Sequence, residues 1–171
     1  MGGTEQEQIA GWFAGRLPQD WFTAAAEVTV DRDEVLVVGR IESPTGPDAK
    51  AEEAHEAAAG RISRFREDTR EQRMAIAREA ERRFERKVSW GVRCGNERAL
   101  FTHVAAPVMT RLRQPERQVL DTLVEAGVAR SRADALGWCV RLVGQHAEDW
   151  LAQLRDAMTS VQRLRNEGPG L

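Results

Sequence analysis

Side chains able to do chemistry are few and scattered. The three histidines, His55, His103 and His146, fall in three different predicted elements. None is spaced with another histidine, cysteine or carboxylate in the HExxH or CxxC manner that a metal requires. Cys94 and Cys139 likewise lie in separate elements, which predicts free thiols in an intracellular chain. Cys94 and His103 could face each other across a hairpin, as a thiol nucleophile would need, but no third group is placed to orient the imidazole. The glycine-bounded stretch Gly91-Val92-Arg93-Cys94-Gly95 lacks both the spacing and the lysine of a phosphate loop. Carboxylates are abundant, yet they alternate with arginine along helical faces, where solvation is their ordinary role. The expectation is a non-enzyme with no metal and no cofactor.

Guanidinium is the better-represented chemistry. The 171 residues carry a net charge of −2, unevenly spread. Residues 1–58 hold 4 basic and 12 acidic side chains, residues 59–113 hold 14 and 7, and residues 114–171 hold 7 and 8. An acidic head beside a basic middle suits a polyanion-binding surface, an intramolecular match, or the solvation of a long helix. Within the basic stretch, Arg82, Arg83, Arg86 and Lys87 are candidates for phosphate contacts, which give affinity without sequence information.

The elements that must position these groups can be read from periodicity. An α+β chain is expected: an N-terminal β-hairpin, a long arginine-rich helix, a second β-hairpin, then strand-helix-helix ending in a long heptad helix. The aromatic doublets Trp12-Phe13 and Trp21-Phe22, in a short helix and turn, predict core packing. Valine-rich runs at Glu27–Val30 and Glu34–Ile41 read as strands joined at Asp31-Arg32-Asp33. They close an acidic N-terminal segment over 1–47, ended by the linker Ser43–Asp48 with its two prolines and glycine.

Residues 48–87 contain no proline and one glycine, and predict a single helix. Its narrow stripe (Ile62, Phe65, Thr69, Ile76, Ala80, Phe84) suits docking rather than burial in a core. Alternation around Gly95-Asn96 predicts a hairpin within 88–107, with strands over 88–94 and 98–104. Residues 108–165 follow as strand, proline-started helix and a helix capped by Ser131. In that last helix Leu136, Val140, Val143, Ala147, Trp150, Leu154, Ala157, Val161 and Leu164 recur at spacings of 4 and 3, a seam that favours a homodimer, with packing on the 49–87 helix of the same chain as the alternative. Residues 166–171 form a tail expected to fray. The longest apolar run, Val35–Val38, has strand length, and Met1–Gln8 carries no signal pattern, so a cytoplasmic protein without membrane association is expected.

Residues 108–143 resemble the ribbon-helix-helix superfamily of dimeric DNA-binding proteins. The resemblance lies in the order of parts: Val108-Met109-Thr110-Arg111-Leu112-Arg113, a helix from Pro115 to Ala126, the turn Gly127–Arg130, and Ser131-Arg132-Ala133-Asp134-Ala135-Leu136, similar to the SRSEAI-type opening of the family's second helix. It implies that two strands pair into a ribbon that enters the major groove of double-stranded DNA. Met109, Arg111 and Arg113 would then face the groove, and Val108, Thr110 and Leu112 the core. Ser131 and Arg132 would hold a phosphate at the helix opening. A transcriptional regulator or chromosome-associated protein is the function implied. The alternative is a protein-protein adaptor that works through its long helices.

Overall fold

The computed structural model describes residues 3–167, so of the tail expected to fray, residues 168–171 lie outside the described part. The fold is α+β, with a four-stranded sheet and six helices. In chain order the elements are α1 (Gly3–Arg16), β1 (Glu27–Val30), β2 (Glu34–Ile41), α2 (Ala51–Asp68), α3 (Arg70–Phe84), β3 (Lys87–Cys94), β4 (Glu97–Leu100), α4 (Gln114–Glu125), α5 (Arg132–His146) and α6 (Glu148–Glu167). Two compact units divide the chain, residues 1–106 and 107–171.

In the first unit the strand order is β1-β2-β3-β4. The outer pairs are antiparallel hairpins, but β2 and β3 run parallel, in register from Glu34↔Lys87 to Ile41↔Cys94. Parallel neighbours need a crossover, and α2 and α3 supply it. The arginine-rich segment is therefore the crossover of a β-α-β unit rather than a solvated rod, which corrects the expectation of a docking helix. Its stripe is buried after all: Phe65, Ile76 and Ala80 are each at most 4% exposed. They meet the sheet face made by Val35, Val37, Ile41, Val88, Trp90, Val92 and Cys94, with Ile9 and Phe13 of α1 beside them. Trp21 touches three rings edge-on, Phe22 at 6.1 Å, Phe65 at 5.7 Å and Trp90 at 6.2 Å, while Phe13 meets Trp90 at 6.1 Å. Gly39 makes room for this packing, since a Cβ there would sit 2.1 Å from the Phe22 ring.

The expected single helix over 48–87 is two helices, broken at Thr69. Thr69 Oγ1 donates to the Phe65 carbonyl at 2.6 Å, a back-bond of the kind that bends helices. Arg73 holds the bend. It is 7% exposed, donates through Nε to Thr69 Oγ1 at 2.9 Å and through Nη2 to the Arg66 carbonyl at 2.6 Å, and stacks on Phe101 at 4.8 Å. Helix α3 ends on Glu85 in the left-handed region (φ 55°), a conformation costly to a residue with a Cβ. The second hairpin is shorter than expected, because β4 stops at Leu100 and residues 102–104 are irregular.

In the second unit, residues 108–113 form no strand within the chain, and the β1–β4 sheet does not include them. The expected long C-terminal helix is again two helices, separated at Ala147 (φ −119°, ψ 24°). Asn166 and Glu167, expected to fray, continue α6. The core here is small: Leu120, Ala129 and Ala135 are buried, with Leu112, Leu123, Val124, Leu136 and Cys139 packed around them. Helix α4 closes on Gly127 (φ +73°), a left-handed position that glycine takes without steric cost.

Candidate functional site

The second unit holds most of the side chains singled out from sequence. Val108 is 86% and Met109 98% exposed, and Arg111 and Arg113 are exposed too. Of the three side chains expected to face a core, Val108 and Thr110 do not; Leu112 does, half-buried against the Leu120 cluster. The α4 opening matches its sequence signature, with the Arg113 amide donating to Glu116 Oε2 at 2.5 Å and Pro115 in the first turn. The α5 opening does as well. Ser131 Oγ accepts from the Asp134 amide at 3.2 Å, and Asp134 Oδ2 accepts from the Arg130 amide at 3.1 Å. These bonds to Arg130, backbone first, hold the Asp134 carboxyl below its ordinary range. Arg132, its side chain 58% exposed, grips Asp121 of α4 through Nε at 2.6 Å and Nη2 at 2.7 Å. The hydrogen bond lowers the pKa of Asp121 and raises that of Arg132. That fork fixes α5 against α4, a role sequence spacing did not reveal.

The seam residues divide by helix. Leu136 is half-buried, whereas Val140 (66%) and Val143 (54%) of α5 stand in solvent. Helix α6 buries no residue: Trp150, Leu154, Met158, Val161 and Leu164 are all exposed. In the first unit, by contrast, Met74 is the one large apolar side chain left exposed among the described residues.

The basic candidates of the first unit also divide. Arg82 and Arg83 are exposed, Arg83 lying over Phe84, and Lys87 is 3.7 Å from Glu81. The Arg86 side chain is 10% exposed and pairs with Glu5 at 2.8 Å, so it is engaged within the fold. The acidic head and basic middle thus meet at Glu5–Arg86 and at Arg16–Glu79, also 2.8 Å apart.

A crevice of about 560 Å³ opens at the carboxyl ends of β2 and β3, lined by Ser43, Thr45, His55, Cys94, Asn96 and Glu97 among others. Its one ion pair is His55 Nδ1 to Glu97 Oε1 at 2.9 Å, and the hydrogen bond to Glu97 raises the His55 pKa. Cys94 is fully buried, donates to the Glu42 carbonyl at 3.7 Å, and is pushed up by burial. A protonated, enclosed thiol is a poor nucleophile. His103 is exposed.

Residues 7–100 match the family model described as Rv1265-like protein, N-terminal domain, and residues 113–165 match the Mb1296 C-terminal domain. The chain belongs to this Rv1265-like family. The gap between the two matches brackets the division of the structure at residue 106. Among the family's members, Rv1265 of Mycobacterium tuberculosis and Mb1296 of Mycobacterium bovis are each 58% identical to this chain over 176 aligned residues. In both cases the alignment covers 99% of this chain and 76% of the relative. No solved structure matches the chain.

Proposed function

We propose that the protein is a homodimer that binds double-stranded DNA through its second unit, in the manner of ribbon-helix-helix proteins. One observation carries this reading. Segment 108–113, exposed but for Leu112, precedes two helices and a turn whose apolar residues Val119, Val128, Val140 and Val143 stand in solvent around a three-residue core. A unit of this size with so little buried is marginal, and a partner that covered the exposed valines would stabilise it. Two such units placed together would pair the 108–113 segments and cover the valines, leaving Arg111 and Arg113 on one face of the ribbon. Arginine there suits guanine O6 and N7. The α5 opening, capped by Ser131, supplies amides for a phosphate, while Arg132 remains with Asp121. Arg82, Arg83 and Lys87 are the exposed cations that would add background affinity.

Anisotropy titration of duplex DNA at several salt concentrations tests this. Binding should weaken steeply with salt, with a slope of about 0.9 per phosphate contact. After selection of a preferred site, Arg111→Ala and Arg113→Ala should each lose roughly 1–3 kcal/mol of discrimination while keeping bulk affinity. Absence of binding at low salt would remove this reading in favour of a protein-interaction module, for which the exposed face of α6 speaks.

A further inference from the structure

We propose that α6 pairs antiparallel with α6 of a second copy. The proposal rests on the homodimer of the preceding reading and adds to it an interface and its orientation. Trp150, Leu154, Ala157, Val161 and Leu164 recur at spacings of 4, 3, 4 and 3, the heptad seam of a coiled coil, and α6 buries none of them within its own chain. The large side chains among them are 44–65% exposed.

Side-chain size decides the orientation. A parallel pair in register would stack like on like: two indoles at 150, two leucines at 154 and two methyls at 157. The first layer is overfilled and the third leaves a void, both destabilising in a close-packed seam. An antiparallel pair instead sets Trp150 against the partner's Val161 and Leu154 against the partner's Ala157, and repeats both by symmetry. Every layer then joins one larger and one smaller side chain. Leu164 falls opposite the partner's Ala147, where the α5–α6 break ends the seam.

Charge agrees. Residues 148–157 hold Glu148, Asp149, Asp156 and Arg155, and residues 158–167 hold Arg163, Arg165 and Glu167. One half of the helix is net acidic and the other net basic, so antiparallel pairing sets opposite signs and opposite helix dipoles side by side. Met158 meets its own copy on one flank of the seam, and the stem of Arg165 covers the partner's Leu151.

Disulfide trapping in the full chain carrying Cys139→Ser tests the pairing, with Cys94 left in place because it is buried. Antiparallel geometry brings residue 153 of each copy opposite its counterpart and keeps residue 157 facing residue 154. Parallel geometry does the reverse. Under mild oxidation Gln153→Cys should yield covalent dimers while Ala157→Cys stays at the level of the Cys139→Ser parent. Crosslinking of Ala157→Cys and not of Gln153→Cys would overturn the orientation. Both variants remaining at the parent's level would overturn the pairing itself. A DNA titration of the same samples reads the DNA-binding proposal separately: trapped dimers that fail to bind DNA would remove that proposal and leave the α6 pair standing.

Discussion

The two halves of this chain bury their apolar residues in opposite ways. The first unit folds three helices onto one face of a sheet and locks them with a chain of edge-on aromatic rings, Trp12, Phe13, Trp90, Trp21 and Phe65. The second is smaller and keeps only Leu120, Ala129 and Ala135 from solvent. Similar apolar content produces a self-sufficient core in one case and an outward-facing stripe in the other. The difference is topological. A β-α-β crossover gives the helices a sheet to cover, whereas three successive helices without a sheet have only one another. The lesson is that seam-like periodicity alone does not say whether a stripe turns inward: the α2–α3 stripe does, and the α6 stripe does not.

The sharpest way to break this comparison is to remove the keystone of the first core. Trp90→Ala should destabilise the first unit by about 3–5 kcal/mol, as large-to-small core substitutions do. Two thermal transitions are expected in the wild type. The substitution should lower one of them independently of protein concentration, while the proposed dimer predicts that the other rises with concentration. Concentration-independence of both would make the second unit self-sufficient after all.

A smaller effect is expected at the helix bend. Arg73→Met removes the donor to the Arg66 carbonyl and the cation stacked on Phe101. A loss of roughly 1–3 kcal/mol, from denaturant melts of the first unit, is the expected outcome. Wild-type stability would mean that water serves that carbonyl equally well. Next comes Ser131→Ala, which should cost the second unit about 1 kcal/mol through the lost α5 cap. Hydrogen exchange of the Asp134 amide would register it most directly.

The smallest effect is electrostatic. The folded-state pKa of His55 is raised above its usual 6.5, first by the hydrogen bond to Glu97 and then by that carboxylate's charge. Its contribution is therefore fully present below pH 6.5 and fades as pH rises through the folded value. The pair is well exposed, so a slight fall in melting temperature across that window is expected, absent in Glu97→Gln. Asp121 works in the other direction: its lowered pKa stabilises above the usual 3.8 and is lost on acidification.

Much of the first unit was legible. The strands 27–30 and 34–41 have the bounds expected from valine content, and both aromatic doublets contribute to the core. The parallel pairing was not legible, because two hairpins explain the same local patterns and only long-range contact selects between them. Helix breaks at Thr69 and Ala147 carry neither glycine nor proline. The first arises from a side-chain back-bond and a buried arginine seven residues beyond the carbonyl it serves, which periodicity cannot register. In the second unit the Pro115 start, the Gly127 end and the Ser131 cap were legible because each is a short-range pattern, whereas the Glu116 bond to the Arg113 amide was not singled out. The Arg132–Asp121 fork was not, since it joins two helices across a turn. His55–Glu97 likewise links residues far apart in sequence.

Because β2 and β3 are parallel and in register, every residue of one is paired with a residue 53 positions later. On the ribosome the β1–β2 hairpin therefore emerges with its β2 edge bare, and the complement of that edge follows only after about fifty more residues. At roughly 5–20 residues per second, that is an interval of about three to ten seconds. Val35, Val37 and Val38 line the waiting strand, so the newborn chain is most vulnerable to wrong pairing early in synthesis. The segment translated during that interval is rich in arginine and glutamate and poor in β-formers, so it offers the bare edge no competing strand.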